Sequence, residues 1–179
     1  MPEQFSSSNL KSWFRSVRLI FLASALLVLI AFSIAKLNWT TNPISEVTFT
    51  TITGKKIPLK DLKGKPVIVT FWATDCPECL KEIPILIDLY KKYHTKGLEI
   101  IAIAMHYDPP NLVINLSEAL KLPYDVALDL TRETATAFGN IELTPSTFLI
   151  GQDSLINVKK VGAFDPVEIK TRIEILLKG

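Results

Sequence analysis

The stretch Phe71 to Pro84, FWATDCPECLKEIP, decides the fold: it joins a buried strand to an amphipathic helix and holds both cysteines of the 179-residue chain. Just before it, Pro66 to Ala73 (PVIVTFWA) is an almost unbroken β-branched and aromatic run, the pattern of a strand buried on both faces. Just after it, Leu80, Ile83, Leu86, Ile87 and Tyr90 recur at helical spacing. Lys81, Glu82, Asp88, Lys91 and Lys92 are expected on the opposite, solvated side of that helix, and Gly97 stops it. Leu98 to Met105 (LEIIAIAM) reads as a second buried strand, so strand, helix and strand form a βαβ unit with parallel strands. The cysteines then fall at the carboxyl edge of the sheet, where open α/β folds place their chemistry.

The remaining pattern completes a mixed sheet flanked by helices. Glu46 to Thr53 alternates as a strand and turns through Gly54-Lys55-Lys56 into Ile57-Pro58-Leu59, an N-terminal β-hairpin. Asp108 and Pro109 suit the start of a helix running to about Leu120, with the carboxylate as cap. VALD, Val126 to Asp129, is a short strand, and Thr131 to Phe138 a short helix closed by Gly139. Pro145 to Gly151 and Leu155 to Gly162 pair as an antiparallel hairpin across Gln152-Asp153-Ser154. Asp165, Pro166 and Glu168 supply cap, first-turn proline and capping-box partner for a last helix that turns Ile169, Ile173, Leu176 and Leu177 inward.

Ahead of this domain, Leu19 to Ala35 contains seventeen residues without a charge. With its flanks, 19–37, it reaches roughly 28 Å as a helix, close to the hydrocarbon thickness of a bilayer. Trp13 and Trp39 suit the two interfaces, and Lys11, Arg15 and Arg18 precede the apolar run while only Lys36 follows closely. That asymmetry places residues 1–18 in the cytoplasm and everything after the span outside it, with 38–45 as linker and 46–179 as the folded domain. The competing expectation is a cleaved signal peptide ending at Ser33-Ile34-Ala35; either way the domain is exported. A net charge of +2 with scattered Lys and Arg gives no footprint for nucleic acid.

Three readings compete for the cysteine pair. A structural staple closing four residues contributes only about 2 kcal/mol, against nearly 5 for a hundred-residue loop, and a domain with its own core does not require one. A zinc site wants four ligands, and besides the cysteines the chain has only His94 and His106. His94 reads as solvated and His106 as a loop residue near the sheet's carboxyl edge. A redox pair wants one reachable, ionisable thiol and a second able to resolve a mixed disulfide. Cys76 at a helix start, where free N–H groups favour a thiolate, and Cys79 one turn further in meet both conditions. Pro77 fits the first helical turn. Asp75 and Glu78 oppose ionisation of Cys76, so the couple is expected to be more reducing than a DsbA-like oxidant.

FWATDCPECLKEIP resembles the FWAxWCxxCxxExP signature of membrane-anchored TlpA/ResA-like proteins of the thioredoxin superfamily. VTFTTITGKKIPLKDLKGKPVIV is similar to that family's leading hairpin, and LTPSTFLIGQDSLI to its proline loop and following strand. The resemblance covers about residues 46–179, including the inserted helix after Asp108. It implies a thioredoxin-like α/β fold preceded by one transmembrane helix, with Cys76 as nucleophile, Cys79 as resolving thiol and Pro145 as a cis proline. It implies further that Thr144 offers its backbone to an extended substrate, beside a contact surface of Trp72, Asp75, Pro77 and Glu78. Glu82 matches a glutamate that assists proton transfer, and Pro84 a proline inside the active-site helix. No cofactor is implied.

The partners implied are protein thiols and disulfides outside the cytoplasm, such as apocytochrome c haem-site cysteines or copper-centre assembly proteins, and a membrane thiol donor of the DsbD/CcdA type. The location implied is the bacterial inner membrane, with the domain in the periplasm. Two departures stand out. Asp75 replaces the usual Trp, and Thr70 stands where thioredoxin has a buried Asp. A peroxiredoxin-like peroxidase wants Pro and Thr seven and three residues before the cysteine, where this chain has Val69 and Ala73. A metal-binding chaperone is the remaining alternative.

Overall fold

Alternation within the two central strands builds two cores at once. β3 (Val67–Trp72) and β4 (Glu99–Ala104) run parallel in register, Val67 opposite Glu99 and Trp72 opposite Ala104. Because successive side chains point to opposite faces, Ile68, Trp72, Ile100 and Ala102 enter one core while Val67, Val69, Phe71, Ile101 and Ile103 enter the other. Every residue of β3 is buried, as its near-continuous apolar composition requires. The computed structural model describes residues 24–30, 33 and 43–178.

The sheet order is β5-β4-β3-β6-β7, with β5 at Asp125–Leu128, β6 at Ser146–Ile150 and β7 at Ile156–Val161. β5 joins β4 in parallel, whereas β6 pairs antiparallel with both β3 and β7, so the sheet is mixed as expected. A separate hairpin, β1 (Thr48–Thr50) with β2 (Lys56–Pro58), lies against the β5 edge: Thr51 bridges Ala127 and Ile52 N–H donates to the Val126 carbonyl. β1 is shorter than the alternation from Glu46 to Thr53 suggests. Pro43–Glu46 forms a 3-10 turn before it, and the Thr51 hydroxyl accepts from Lys55 N–H to close the turn after it.

Four helices cover the faces. α1 (Pro77–Tyr93), α2 (Pro110–Ala119) and α4 (Pro166–Leu176) pack on one core through Ile83, Leu86, Leu89 and Tyr93, Val113, and Ile169 and Ile173. α3 (Glu133–Ala137) and the hairpin close the other, where Phe71, Phe138 and Phe148 meet edge-on with centroids 5.0 to 6.0 Å apart. α1 runs through Pro84 and ends at Tyr93, four residues before the expected stop; the 3-10 turn His94–Lys96 follows, and Gly97, φ 110°, turns the chain into β4. α3 starts at Glu133, later than Thr131, because the buried Asp129 carboxylate accepts from Thr134 and Ala135 N–H and fixes the first turn there.

Asp165 caps α4 as expected, its Oδ1 accepting from Val167 N–H at 2.8 Å and Glu168 N–H at 3.4 Å. This cap is exposed and has no other role, so Asp165→Ala should cost about 1 kcal/mol, read as a lower urea midpoint with an unchanged m-value.

Three expectations need correction. Glu82 is not on the solvated side of α1 but buried, and Leu80, expected inward, is 38% exposed. The inward face of α1 is carried instead by Cys79, Glu82, Ile83, Leu86, Leu89 and Tyr93. Asp108 is not the cap of α2: Pro109 occupies that position without a side-chain bond, and the Asp108 carboxylate turns back to Thr74.

The compact unit begins at Pro43. Of the expected membrane span 19–37, residues 24–30 and 33 are helical, with Leu26 to Ile30 exposed; the rest, residues 1–18 and most of the linker lie outside the described residues. Among the described residues no helix is long and apolar enough to cross a membrane.

Candidate active site

β3 hands over to α1 in four residues. Met105 N–H donates to the Trp72 carbonyl, extending the β3–β4 ladder by one rung, and Cys76 N–H donates to the Ala73 carbonyl at 3.2 Å to close a turn. Cys76 then serves as the α1 N-cap in extended conformation (φ −98°, ψ 104°), with Pro77 in the first turn. Its Sγ accepts from Cys79 N–H at 3.2 Å, and its carbonyl accepts from Leu80 N–H. This explains the CxxC spacing: cap and third helical residue are the pair that a helix start brings together.

The two sulfurs are bonded as a disulfide with Cα atoms 5.3 Å apart. They differ in access, since Cys76 is half-buried whereas Cys79 is only 3% exposed. Asp75, Pro77 and Glu78 are exposed beside Cys76, and Glu78 pairs with Lys81 at 2.6 Å.

Register brings three further loops to the same edge. Ser146 lies opposite Phe71, so Thr144 and Pro145 stand level with the end of β3. Their peptide bond is cis, as expected. Ser146 Oγ donates to the Leu143 carbonyl and Gly162 N–H to the Pro145 carbonyl at 2.8 Å, fastening the proline loop to the end of β7. The loop after β4 contributes exposed His106 and Tyr107, packed edge to face, and buried Asp108. His94 lies away from this edge at the far end of α1, stacked on Tyr90.

Beneath the disulfide, Cys79, Glu82, Thr70, Trp72, Leu122 and Tyr124 line a small cavity, near the size one water fills. Glu82 Oε1 accepts from Phe164 N–H at 2.8 Å. Burial pushes its carboxyl up to about 7; the Phe164 bond lowers it and the Glu78 charge raises it further. Thr70, in the place of thioredoxin's buried Asp, is neutral and satisfied, its hydroxyl 2.9 Å from that of Thr147. Burial also raises the Tyr124 phenol, leaving Glu82 as the group on this cavity that titrates near neutrality.

Trp72, expected to contact substrate, is 4% exposed and belongs to the core; its Nε1 has no hydrogen-bond partner. Sequence reasoning also missed the Asp108–Thr74 and Glu82–Phe164 bonds, which join residues 34 and 82 apart. Nothing local signals either. Among the described residues no group of three or more His, Cys, Asp or Glu side chains is arranged to hold a metal.

The profile of the AhpC/TSA family matches residues 40–159. Thiol-disulfide oxidoreductase ResA of Bacillus thuringiensis (strain Al Hakam) is 37% identical over 130 residues, 72% of this chain and 71% of the relative. The chain belongs to the ResA/TlpA-like thiol-disulfide oxidoreductase family of the thioredoxin superfamily. ResA of Bacillus thuringiensis subsp. konkukian is 42% identical over 108 residues, 60% of this chain, and the match spans 61% of that relative's length. The solved thiol:disulfide interchange protein of Chlorobium tepidum, of the thioredoxin family, superposes with a TM-score of 0.67 at 28% identity, over 73% of this chain and 92% of that one.

Proposed function

We propose that this ResA-like chain is a thiol:disulfide oxidoreductase that reduces disulfides of exported proteins. The observation that carries the reading is the asymmetric pair: a reachable Cys76 at a helix N-terminus, with Cys79 covered one turn in. A permanent staple would gain nothing from that difference in access, whereas exchange needs it.

In the reducing direction, the Cys76 thiolate attacks one sulfur of a partner disulfide. The partner's S–S bond breaks, a Cys76–partner disulfide forms, and the first partner sulfur leaves as a thiolate that takes up a proton. Cys79 then loses its proton and attacks Cys76 Sγ, releasing the second partner sulfur as a thiolate that is protonated in turn. The partner gains two electrons and two protons, and the Cys76–Cys79 dithiol becomes the disulfide present in the structure. Glu82, buried on the same cavity as Cys79 and titrating near neutrality, takes the proton from Cys79. Thr144 and Pro145, level with the end of β3, offer extended backbone to the incoming segment, and Asp75, Pro77 and Glu78 form the exposed rim.

The direction follows from charge. Asp75 adjoins Cys76, Glu78 is paired with Lys81, and no cation stands between the cysteines, which leaves the reduced pair less stabilised than in an oxidant. The pair must then be recharged by an external dithiol, and a membrane thiol donor of the DsbD/CcdA type fits a domain held at the membrane by residues 19–37, with 1–18 in the cytoplasm and the catalytic domain outside. Cytochrome c maturation and copper-centre assembly remain the substrate classes of this reading.

The experiment is insulin-disulfide reduction with dithiothreitol as electron source. The chain is expected to accelerate insulin precipitation well above dithiothreitol alone. A rate no higher than that background would overturn the reading.

A further inference from the structure

The loop that carries Cys76 is held at its centre by one residue from another element. Asp108 is 5% exposed, and both of its oxygens are used: Oδ2 accepts from Thr74 N–H at 2.7 Å and Oδ1 from the Thr74 hydroxyl at 2.6 Å. Asp108 is itself tied to the residue that follows β4, its N–H donating to the Met105 carbonyl, while Met105 N–H donates to the Trp72 carbonyl. Segment 72–76 is thus bound at Trp72 by the sheet, at Thr74 by the carboxylate, and across its own turn by the Cys76–Ala73 bond. A carboxylate taken out of water destabilises a fold unless its bonds compensate. A neutral side chain would tie the same loop, so the charge points to a second effect.

We propose that Asp108 is a positioning residue for thiol exchange: it fixes the loop from which the Cys76 sulfur projects, and its buried negative charge disfavours the Cys76 thiolate, holding the pair toward the disulfide. The proposal rests on Cys76 as the exchanging thiol. The other charged groups on the segments that carry Cys76 and Asp108 are Asp75, Glu78 with Lys81 against it, buried Glu82 on α1, and His106 on Asp108's own loop. Of these carboxylates only Asp108 and Glu82 are buried, where charge is least screened.

Asp108→Asn separates the two effects. The amide oxygen still accepts from Thr74 N–H and the amide nitrogen can donate to the Thr74 hydroxyl, so the loop stays tied while the charge is gone. The equilibrium is protein disulfide plus two glutathione thiols giving protein dithiol plus glutathione disulfide. At pH 6, below the ordinary titration range of a thiol, the variant should match wild type. At pH 9 the variant's equilibrium should lie toward the dithiol by roughly threefold to tenfold, tenfold being about 30 mV. The midpoint for iodoacetamide alkylation of Cys76 should move down by about half to one pH unit.

Asp108→Ser removes the charge and the ties together. It should give the same shift at pH 9, with slower reduction of insulin than Asp108→Asn. An unmoved alkylation midpoint, or an equal change of equilibrium at pH 6 and pH 9, would overturn the proposal, as would failure of both variants to fold, which would assign Asp108 to the scaffold. The equilibrium and alkylation readouts, which alone decide the effect of the charge, use small molecules only. Inactivity of the wild type toward insulin therefore sinks the proposed function and leaves this inference standing.

Discussion

Cys76→Ser lowers insulin reduction to the dithiothreitol background, whereas Cys79→Ser leaves Cys76 able to attack but unable to release its partner. The difference follows from access. Cys76 sits at the helix cap, half-exposed, while Cys79 is 3% exposed and its N–H points back at the Cys76 sulfur. Removing the reachable thiol removes the first bond-forming step; removing the covered one removes only the intramolecular step that resolves the mixed disulfide. The Cys79→Ser protein should accumulate as a covalent adduct with a disulfide substrate, seen as a mass increase that reducing agent reverses. Turnover that survives in Cys76→Ser would transfer the nucleophile to Cys79 and contradict the site geometry.

The second large effect concerns stability and pH. Burial raises the Glu82 carboxyl from 4.5 to about 7 in the folded chain. A group whose folded pKa is raised binds its proton more tightly when folded, so between about 4.5 and 7 the folded state holds more protons than the unfolded one. By linkage, stability falls as pH rises through that window, by about 3 kcal/mol in all. Glu82→Gln keeps an oxygen to accept from Phe164 N–H and removes the titration. Near pH 4 the oxidised variant and wild type should differ little; at pH 8 the variant should be more stable by up to about 3 kcal/mol in urea denaturation. Stability curves that run parallel from pH 4 to 8 would contradict a buried, upshifted Glu82. A chain that retains an ionisable glutamate at such a cost to stability fits a role for it beside Cys79.

What the sequence made legible was whatever depends on neighbours along the chain. Near-continuous apolar runs in Val67–Trp72 and Glu99–Ala104 gave two doubly buried strands, Asp165 gave a helix cap, Gly97 the turn into β4, and the cysteine spacing a cap-and-turn pair. Long-range contacts were less accessible. Asp108 looked like a cap because aspartate before proline is locally suited to one, yet Thr74, 34 residues earlier, supplied two better-placed donors. Glu82 looked solvated because charged residues usually are, but α1 turns that position inward toward Phe164, 82 residues later. Trp72 looked like contact surface through its resemblance to a family motif, and the period-2 geometry of β3 sent it into the core instead. The site edge was readable from the strand order, while the bonds that tie its loops together were not.

The proposed function requires the Cys76–Cys79 bond to open and close reversibly as a two-electron couple. It is tested most directly by equilibrating the protein against graded glutathione ratios and reading the fraction of free thiols. A single reversible transition is expected, with a midpoint more negative than the roughly −120 mV of a strong DsbA-type oxidant. A pair that stays closed at every glutathione ratio and at stronger reducing poise, or a midpoint as oxidising as that, would contradict it.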